Sequence, residues 1–349
     1  MLTTLLLPDL MVLGASDKDT QVTLDRNATS LTTQHPGCDS SAGVACDFAV
    51  LGGGSTVYVD YVKRIADIIV TGAPLLIFGA GRQSGLIPKS INDKYIALLG
   101  KANSVGGVRG RLTADYIARL ATKRLPVVRD SALLAGLLRP GAPLGPAPEE
   151  LLAGRASGLL AAYLHLTRHL VNDWGFQVVL QAVDAESQAL HAAYLDVFNA
   201  GVTAPGAAPV RLHSEYRDWA AVLDLYSRAS LSINSRLHSG VMAAAALRPL
   251  VYVAGNSKYF DLMATLDLQP FILNPDRQQR LPAVVLAQRM AASALEALRN
   301  SSSISSSLAE LQRTTLQLYQ ASMADLLQRL KARGPQRFKS VMCCRHIHV

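Results

Sequence analysis

The sequence predicts an α/β protein made of two halves that face each other across a crevice, followed by a long C-terminal helix. Short β-rich runs alternate with helical patterns on both sides of a proline- and glycine-rich stretch, and this alternation is typical of parallel sheets covered by helices. Apolar residues then recur at helical spacing through residues 305–333, which predicts one long closing helix.

The first half shows three cycles of strand and helix. Glycine follows its first two strands, in Gly52-Gly53-Gly54-Ser55 and in Gly79-Ala80-Gly81. Because glycine lets backbone amides approach a ligand closely, we expect Gly53, Gly54 and Ser55 to contribute to substrate binding. The predicted strands are 48–51, 74–78 and 104–108, and the predicted helices are 57–70, 90–101 and 113–121.

Four prolines between Pro140 and Pro148 mark the boundary, since such a stretch neither continues a helix nor enters a sheet. Beyond it, strands are predicted at 176–182, 210–212, 231–234, 251–254 and near 271, with helices at 149–172, 184–199, 217–228 and 257–266. The predicted parts are an N-terminal domain 1–138, a linker 139–158, a C-terminal domain 159–300, a closing helix 301–333 that starts in a loop or cap at 301–307, and a flexible tail 334–349.

Composition excludes several classes of protein. The chain has 349 residues and a formal net charge of +8, but its sparse aromatic residues do not interleave with Lys and Arg, so we predict no nucleic-acid partner. No apolar run reaches the length of a bilayer-spanning helix, and none is predicted. The apolar residues 1–16 favour an inner strand over a signal peptide, because Pro8 and Asp9 interrupt them.

The four cysteines, Cys38, Cys46, Cys343 and Cys344, have no spacing that indicates a metal site or a disulfide framework. The glycine-rich segments match neither a dinucleotide-binding nor a phosphate-loop motif. We therefore expect no metal and no cofactor.

The residues Ser235-Arg236-Leu237-His238-Ser239 stand where a strand passes into an alanine-rich helix. No acidic residue occurs between Asp224 and Asp261, so Arg236 must meet either a carboxylate from far along the chain or an anionic ligand. The free amides and the dipole of the helix start also attract anions, by about 0.3 to 2 kcal/mol. The residues alone leave both interpretations open.

A second arginine follows a strand in the first half. Arg109 stands just before a helix for which Thr113 is a plausible N-cap, and Asp130 ends another strand-like run. Taken alone, Arg109 is expected to be solvated, and the position of Asp130 is also consistent with a simple cap.

Taken together, these segments resemble the polysaccharide pyruvyl transferase family. The most specific feature is the order of an Arg-Leu-His triplet, a helix of small residues and a downstream lysine, Lys258. The segments that carry the resemblance are CDFAVLGGGS, GAPLLIFGAG, GGVRGRLTADYI, VRDSALL and DLYSRASLSINSRLHSGVMAAAALRPLVYVAGNSKYFDLMATLDL.

This resemblance implies two Rossmann-like domains of the GT-B type and transfer of a pyruvyl group from phosphoenolpyruvate to a saccharide acceptor as a ketal. It implies His238 as general acid and Arg236 as anion clamp, with Lys258 or Arg109 completing the charge. Asp130 is the candidate acceptor of a hydroxyl proton. The substrate-binding set also includes Ser235 and Ser239.

Two departures from the family pattern stand out: residues 1–45 show no clear first strand and loop, and the apolar strand that opens the second domain is expected to be lost or replaced in residues 139–158. Two alternatives follow, a GT-B glycosyltransferase that uses a nucleotide sugar and a catalytically inactive glycan-binding relative.

Overall fold

The computed structural model describes residues 49–51, 57, 62, 66–70, 72–82, 89–121, 123–138, 150–152, 157–274 and 281–332. The predicted strand at the N-terminus, Gly53, Gly54, Ser55, the four boundary prolines, all four cysteines and the tail lie outside these residues.

The chain divides into two compact units. One comprises residues 1–131 and 314–349, and the other comprises residues 132–313. The division therefore falls a few residues before the predicted linker, and the long C-terminal helix contributes to each unit instead of forming a separate part.

The first unit contains a parallel three-stranded sheet in the order β1-β2-β3. Its strands are almost entirely apolar because helices accompany them, and Leu75 and Ile77 of the middle strand are fully buried beside Ile96 and Ile117 of the helices. The elements are β1 (Ala49–Leu51), α1 (Ala66–Val70), β2 (Pro74–Ala80), α2 (Lys89–Leu99), β3 (Asn103–Val108) and α3 (Arg111–Leu120).

Two predictions in this unit were wrong. Val57 does not begin a helix but forms a parallel bridge with Arg82, and its amide donates to the carbonyl of Gly81 at 2.9 Å. Thr113 is not an N-cap, because α3 starts after Gly110. Thr113 lies within the first turn, where its hydroxyl accepts a 3.2 Å hydrogen bond from the amide of Arg82.

The second unit contains two parallel three-stranded ladders, β4-β5-β6 and β7-β8-β9. The ladders meet where β4 lies beside β7. The elements are β4 (Glu150–Leu152), α4 (Ser157–Arg168), β5 (Gln177–Gln181), α5 (Ala185–Asn199), β6 (Arg211–His213), α6 (Trp219–Arg228), β7 (Ser232–Asn234), α7 (Leu237–Ala245), β8 (Leu250–Val253), α8 (Ser257–Thr265), β9 (Ile272–Leu273) and α9 (Ala283–Arg299).

This arrangement gives the spatial order β6-β5-β4-β7-β8-β9, the doubly wound 3-2-1-4-5-6 order, with its switch point between β4 and β7. The prediction that the opening strand of this domain was lost is wrong. Glu150–Leu152 pairs in parallel with β5, in the register Glu150↔Gln177.

The last helix, α10 (Ser301–Ala332), begins at its first serine, so the loop or cap predicted at 301–307 is helical. Ile304 and Leu308, four residues apart on one face, are 5% and 1% exposed, and their burial offsets the weak helix propensity of the surrounding serines. The sequence analysis did not predict α9, which precedes α10. Within the described residues, no helix combines the length and hydropathy needed to span a bilayer.

Candidate functional site

The Arg-Leu-His triplet lies where β7 passes into α7, as predicted, and Leu237 and His238 are the first two residues of that helix. Arg236 is the N-cap residue of α7, with φ −115° and ψ 145°, and its own side chain makes no capping hydrogen bond. Ser239 returns one turn to donate a 2.7 Å hydrogen bond from its hydroxyl to the carbonyl of Arg236. His238, the second residue of the helix, is exposed. An arginine and an exposed histidine thus flank the positive end of a nine-residue helix.

The small residues of α7 hold this helix start against the sheet. A Cβ on Gly240 would lie 2.1 Å from the hydroxyl of Tyr252 in β8, so only glycine allows this approach. The same hydroxyl donates a 2.7 Å hydrogen bond to the carbonyl of Leu237. The alanine-rich sequence after the triplet therefore fixes where Arg236 and His238 stand.

Arg236 has an acidic partner that the sequence analysis did not identify. Its Nη2 donates a 2.7 Å hydrogen bond to Oδ2 of Asp184, and the two side chains are 41% and 43% exposed. The alternative that Arg236 pairs with a distant carboxylate is therefore confirmed. Because the pair is half exposed, the guanidinium also remains accessible to a ligand from solvent.

The pair lies at the switch point of the second unit. Asp184 follows β5 and Arg236 follows β7, and these two strands lie on either side of β4. Ligands of doubly wound sheets bind beyond the carboxyl ends of the strands at such a point. Topology and charge thus indicate the same location.

Lys258 lies near this location, in the first turn of α8. Its amide donates a 3.2 Å hydrogen bond to the side chain of Asn256, the N-cap, and its ammonium group lies 5.3 Å from the ring centroid of Tyr259. Burial raises the pKa of Tyr259, and the charge of Arg236 acts on the same pKa in the opposite direction. Lys258, Tyr259 and Arg236 therefore form one cluster.

Ser235 completes the cluster. Its hydroxyl oxygen is buried and has no hydrogen-bond partner among the residues that the structure describes. The structure thus brings together five of the predicted site residues in the second unit: Ser235, Arg236, His238, Ser239 and Lys258.

In the first unit, Arg109 and Asp130 form a buried ion pair. Nη1 of Arg109 lies 3.6 Å from Oδ2 of Asp130, and the side chains are 0% and 5% exposed. The expectation that Arg109 is solvated was wrong. A Cβ on Gly81 would lie 2.4 Å from the guanidinium, so glycine at the end of the β2 segment makes room for a buried cation, and the amide of Arg109 donates to Ala80 at 2.9 Å.

The turn that carries Asp130 is strained. Arg129 has φ 69°, a conformation that side chains other than glycine rarely adopt. Two hydroxyls of α10 accept hydrogen bonds from Nη1 of Arg129, Thr314 at 2.7 Å and Thr315 at 3.2 Å. Burial and the charge of nearby Arg111 lower the pKa of Arg129. No local sequence signal could have linked this turn to residues so far along the chain.

Other candidates do not form sites. His169 pairs with Asp173 and packs in a tilted arrangement against Trp174, with 4.6 Å between ring centroids, while His165 is exposed. Within the described part of the chain, no three His, Cys, Asp or Glu residues converge as metal ligands.

Comparison with known proteins adds a family and a fold. A sequence profile described as polysaccharide pyruvyl transferase matches residues 9–257. Among curated proteins, no sequence matches. Among solved structures, the chain is similar to the α,α-trehalose 6-phosphate synthase of Burkholderia multivorans, with 12% identity and a TM-score of 0.51 over 83% of this chain and 72% of that one.

Two further structures are similar at the same level. The UDP-forming α,α-trehalose-phosphate synthase of Burkholderia vietnamiensis shares 13% identity, with a TM-score of 0.50 over 80% of this chain and 74% of that one. The corresponding enzyme of Burkholderia xenovorans shares 10% identity, with a TM-score of 0.50 over 82% and 74%. At these identities the likeness concerns the fold alone, and it confirms an α/β architecture like that of GT-B glycosyltransferases.

Proposed function

Because the chain belongs to the polysaccharide pyruvyl transferase family, we propose that it transfers a pyruvyl group from phosphoenolpyruvate to a sugar acceptor as a ketal and releases phosphate. The observation that carries this proposal is the accessible Arg236 beside the exposed His238 at the start of α7. Family membership supports a transferase. The identities of the donor and of the acceptor go beyond what family membership shows and are part of the proposal.

Phosphoenolpyruvate carries a phosphate and a carboxylate, and the second unit offers matching groups. The N-terminus of α7 provides backbone amides and a favourable dipole, and Arg236 provides a planar guanidinium suited to two-point binding of an anion. Lys258 adds a second positive charge beside Tyr259. The unsatisfied hydroxyl of Ser235 is a further group that a ligand could satisfy after a small rotation.

The histidine supplies the proton that the chemistry requires. In the proposed reaction, His238 protonates the methylene carbon of phosphoenolpyruvate, which becomes a methyl group and leaves the adjacent carbon electrophilic. Two acceptor hydroxyls form bonds to that carbon, and phosphate departs with the electrons of its C–O bond. A side chain with an ordinary pKa near neutrality serves such a step well.

Arg109 and Asp130, the two candidate residues of the first unit, have smaller roles in this proposal than the sequence suggested. Arg109 is fully buried, and its guanidinium lies 3.6 Å from the carboxylate of Asp130 and away from solvent. Asp130 was the candidate acceptor of a hydroxyl proton, but its side chain is 5% exposed. Lys258 is therefore the better candidate to complete the charge around the donor.

Substitution of the two motif residues tests the proposal. His238→Ala and Arg236→Ala are each expected to abolish phosphate release from phosphoenolpyruvate in the presence of sugar acceptors, with circular dichroism unchanged. Loss of a general acid typically costs 10²- to 10⁴-fold in rate. The matched controls are His165→Ala and Arg228→Ala, which remove an exposed histidine and a 51% exposed arginine from other helices of the same unit. Turnover at the wild-type rate in either motif variant would contradict the mechanism.

The doubly wound strand order also favours a second candidate, a GT-B glycosyltransferase that uses a nucleotide sugar. Thermal stabilisation by a nucleoside diphosphate, but not by phosphoenolpyruvate, would select it. The inactive glycan-binding alternative rested partly on the missing strand of the second domain, and β4 removes that reason.

A further inference from the structure

The proposed reaction needs a group that accepts protons from the acceptor hydroxyls. Two carboxylates are candidates for this role, and they differ in their exposure to solvent. Asp130 is 5% exposed and packs against buried Arg109. Asp184 is 43% exposed and contacts Arg236, the anion-binding arginine of the proposed function. A general base must come within hydrogen-bond reach of its proton, and only Asp184 of these two is accessible to do so.

Asp184 is also held rigidly. It is the N-cap of α5, and its Oδ1 accepts a 2.6 Å hydrogen bond from the amide of Ser187. The hydroxyl of Ser187 accepts in return from the amides of Val183 and Asp184, at 2.9 and 3.0 Å. This reciprocal capping box orients the carboxylate, so that Oδ1 serves the helix and Oδ2 faces Arg236.

We propose that Asp184 is the general base of the pyruvyl transfer. This role rests on the proposed function. As an acceptor oxygen forms its bond to the electrophilic carbon, its O–H bond breaks and the proton passes to Oδ2 of Asp184. The proton given by His238 ends on the methyl carbon. Of the two protons from the hydroxyls, one restores His238 and the other leaves with phosphate, so that the residues return to their starting states.

The shared arginine couples binding to this step. Arg236 donates to Oδ2, the oxygen that the base would use. An anion bound at the start of α7 competes for the same guanidinium and thereby releases Oδ2. The carboxylate therefore becomes available as a base when the donor is in place.

Asp184→Asn separates the base from the cap, because asparagine caps helices as well as aspartate does. We expect kcat for phosphate release to fall about 10²- to 10⁴-fold. Calorimetric binding of inorganic phosphate should be as tight as in the unchanged protein or tighter, since one negative charge beside the anion is removed. The unfolding temperature should not change.

The matched control is Asp218→Asn. Asp218 caps α6 by accepting from the amides of Ala220 and Ala221, at 2.9 and 3.3 Å, and it is exposed. It should leave rate, phosphate binding and unfolding temperature unchanged.

Two outcomes would overturn the role of Asp184. One is wild-type kcat in Asp184→Asn. Another is a loss of phosphate affinity equal to the loss in kcat/KM, which would mean that Asp184 acts only by holding Arg236. By contrast, no phosphate release by the unchanged protein with any acceptor would overturn the proposed function and the role together.

Discussion

The hydroxyl of Tyr319 in α10 donates a 2.9 Å hydrogen bond to the main-chain carbonyl of Arg129, which lies 190 residues earlier. The tyrosine ring is fully buried and packs on Phe78, with 4.1 Å between ring centroids. Arg129 itself has φ 69° and directly precedes Asp130. The second part of α10 thus holds the strained turn that presents a buried carboxylate to Arg109 within the first unit.

Removal of this hydroxyl should weaken the first unit. Tyr319→Phe keeps the ring but leaves the Arg129 carbonyl without this donor, and an unsatisfied buried polar group costs about 1 to 3 kcal/mol. Urea denaturation should show that loss in the free energy of unfolding. Ser322→Ala is the control on the same helix, because that serine is partly exposed and donates its hydroxyl hydrogen bond to the carbonyl of Leu318 one turn earlier. An unchanged denaturation midpoint in Tyr319→Phe would show that the Tyr319 hydroxyl does not stabilise the turn at Arg129.

Gly79 should tolerate alanine far less well than Gly72. Both have positive φ, 69° and 70°, so alanine is strained by about 1 to 2 kcal/mol at either position. A Cβ at Gly79 would also lie 2.4 Å from the Tyr319 hydroxyl and 2.5 Å from the Arg129 carbonyl, whereas a Cβ at Gly72 meets nothing within 4 Å. Gly79→Ala is therefore expected to lose clearly more unfolding free energy than Gly72→Ala. Equal losses in the two variants would show that the contact with Tyr319 adjusts without cost.

The ion pair of Arg109 and Asp130 should be strongly coupled. Breaking a buried pair on one side leaves an uncompensated charge and costs about 3 to 5 kcal/mol, while replacing both partners by apolar residues often costs little. We expect Arg109→Met and Asp130→Leu each to destabilise the protein severely, and the double variant to lose much less than their sum. Chemical denaturation of all four proteins measures this coupling energy. Additive losses would mean that the two charges, 3.6 Å apart, do not stabilise each other.

Stability should fall in alkaline solution. Burial raises the pKa of Tyr226 and of Tyr319 above the ordinary value of 10.0, and the charge of Asp130 raises that of Tyr319 further. The folded protein therefore holds these phenolic protons more tightly than the unfolded chain does. The resulting stability is complete below pH 10 and declines as the pH rises towards the folded pKa.

The free energy of unfolding, measured from pH 8 to pH 11, should show this decline. Its slope should be shallower in Tyr226→Phe than in Tyr216→Phe, which removes the hydroxyl of an incompletely buried tyrosine. The same slope in both variants would mean that Tyr226 ionises without unfolding.

The elements of the second unit were largely predictable. Between Leu231 and Leu268, the two strands and the helix Ser257–Thr265 lie within one residue of the predicted bounds, because apolar periodicity and glycine or proline boundaries are local features. The short strand Glu150–Leu152 escaped prediction because its pairing with β5 outweighs the proline-rich context that precedes it. The helical serines of α10 escaped for a similar reason, since burial of Ile304 and Leu308 overrides propensity.

The candidate site divides in the same way. The types and order of its residues, with an arginine and a histidine at the start of a small-residue helix, could be read directly from residues 232–253. What the sequence determined by itself was therefore which residues stand at this strand end and helix start and which elements carry them, because capping, periodicity and local charge act over a few residues. Only the tertiary structure decided the partners: Asp184 for Arg236 across 52 positions, and Tyr319 for Arg129 across 190. Strand order and packing set those distances, and no local interaction encodes them.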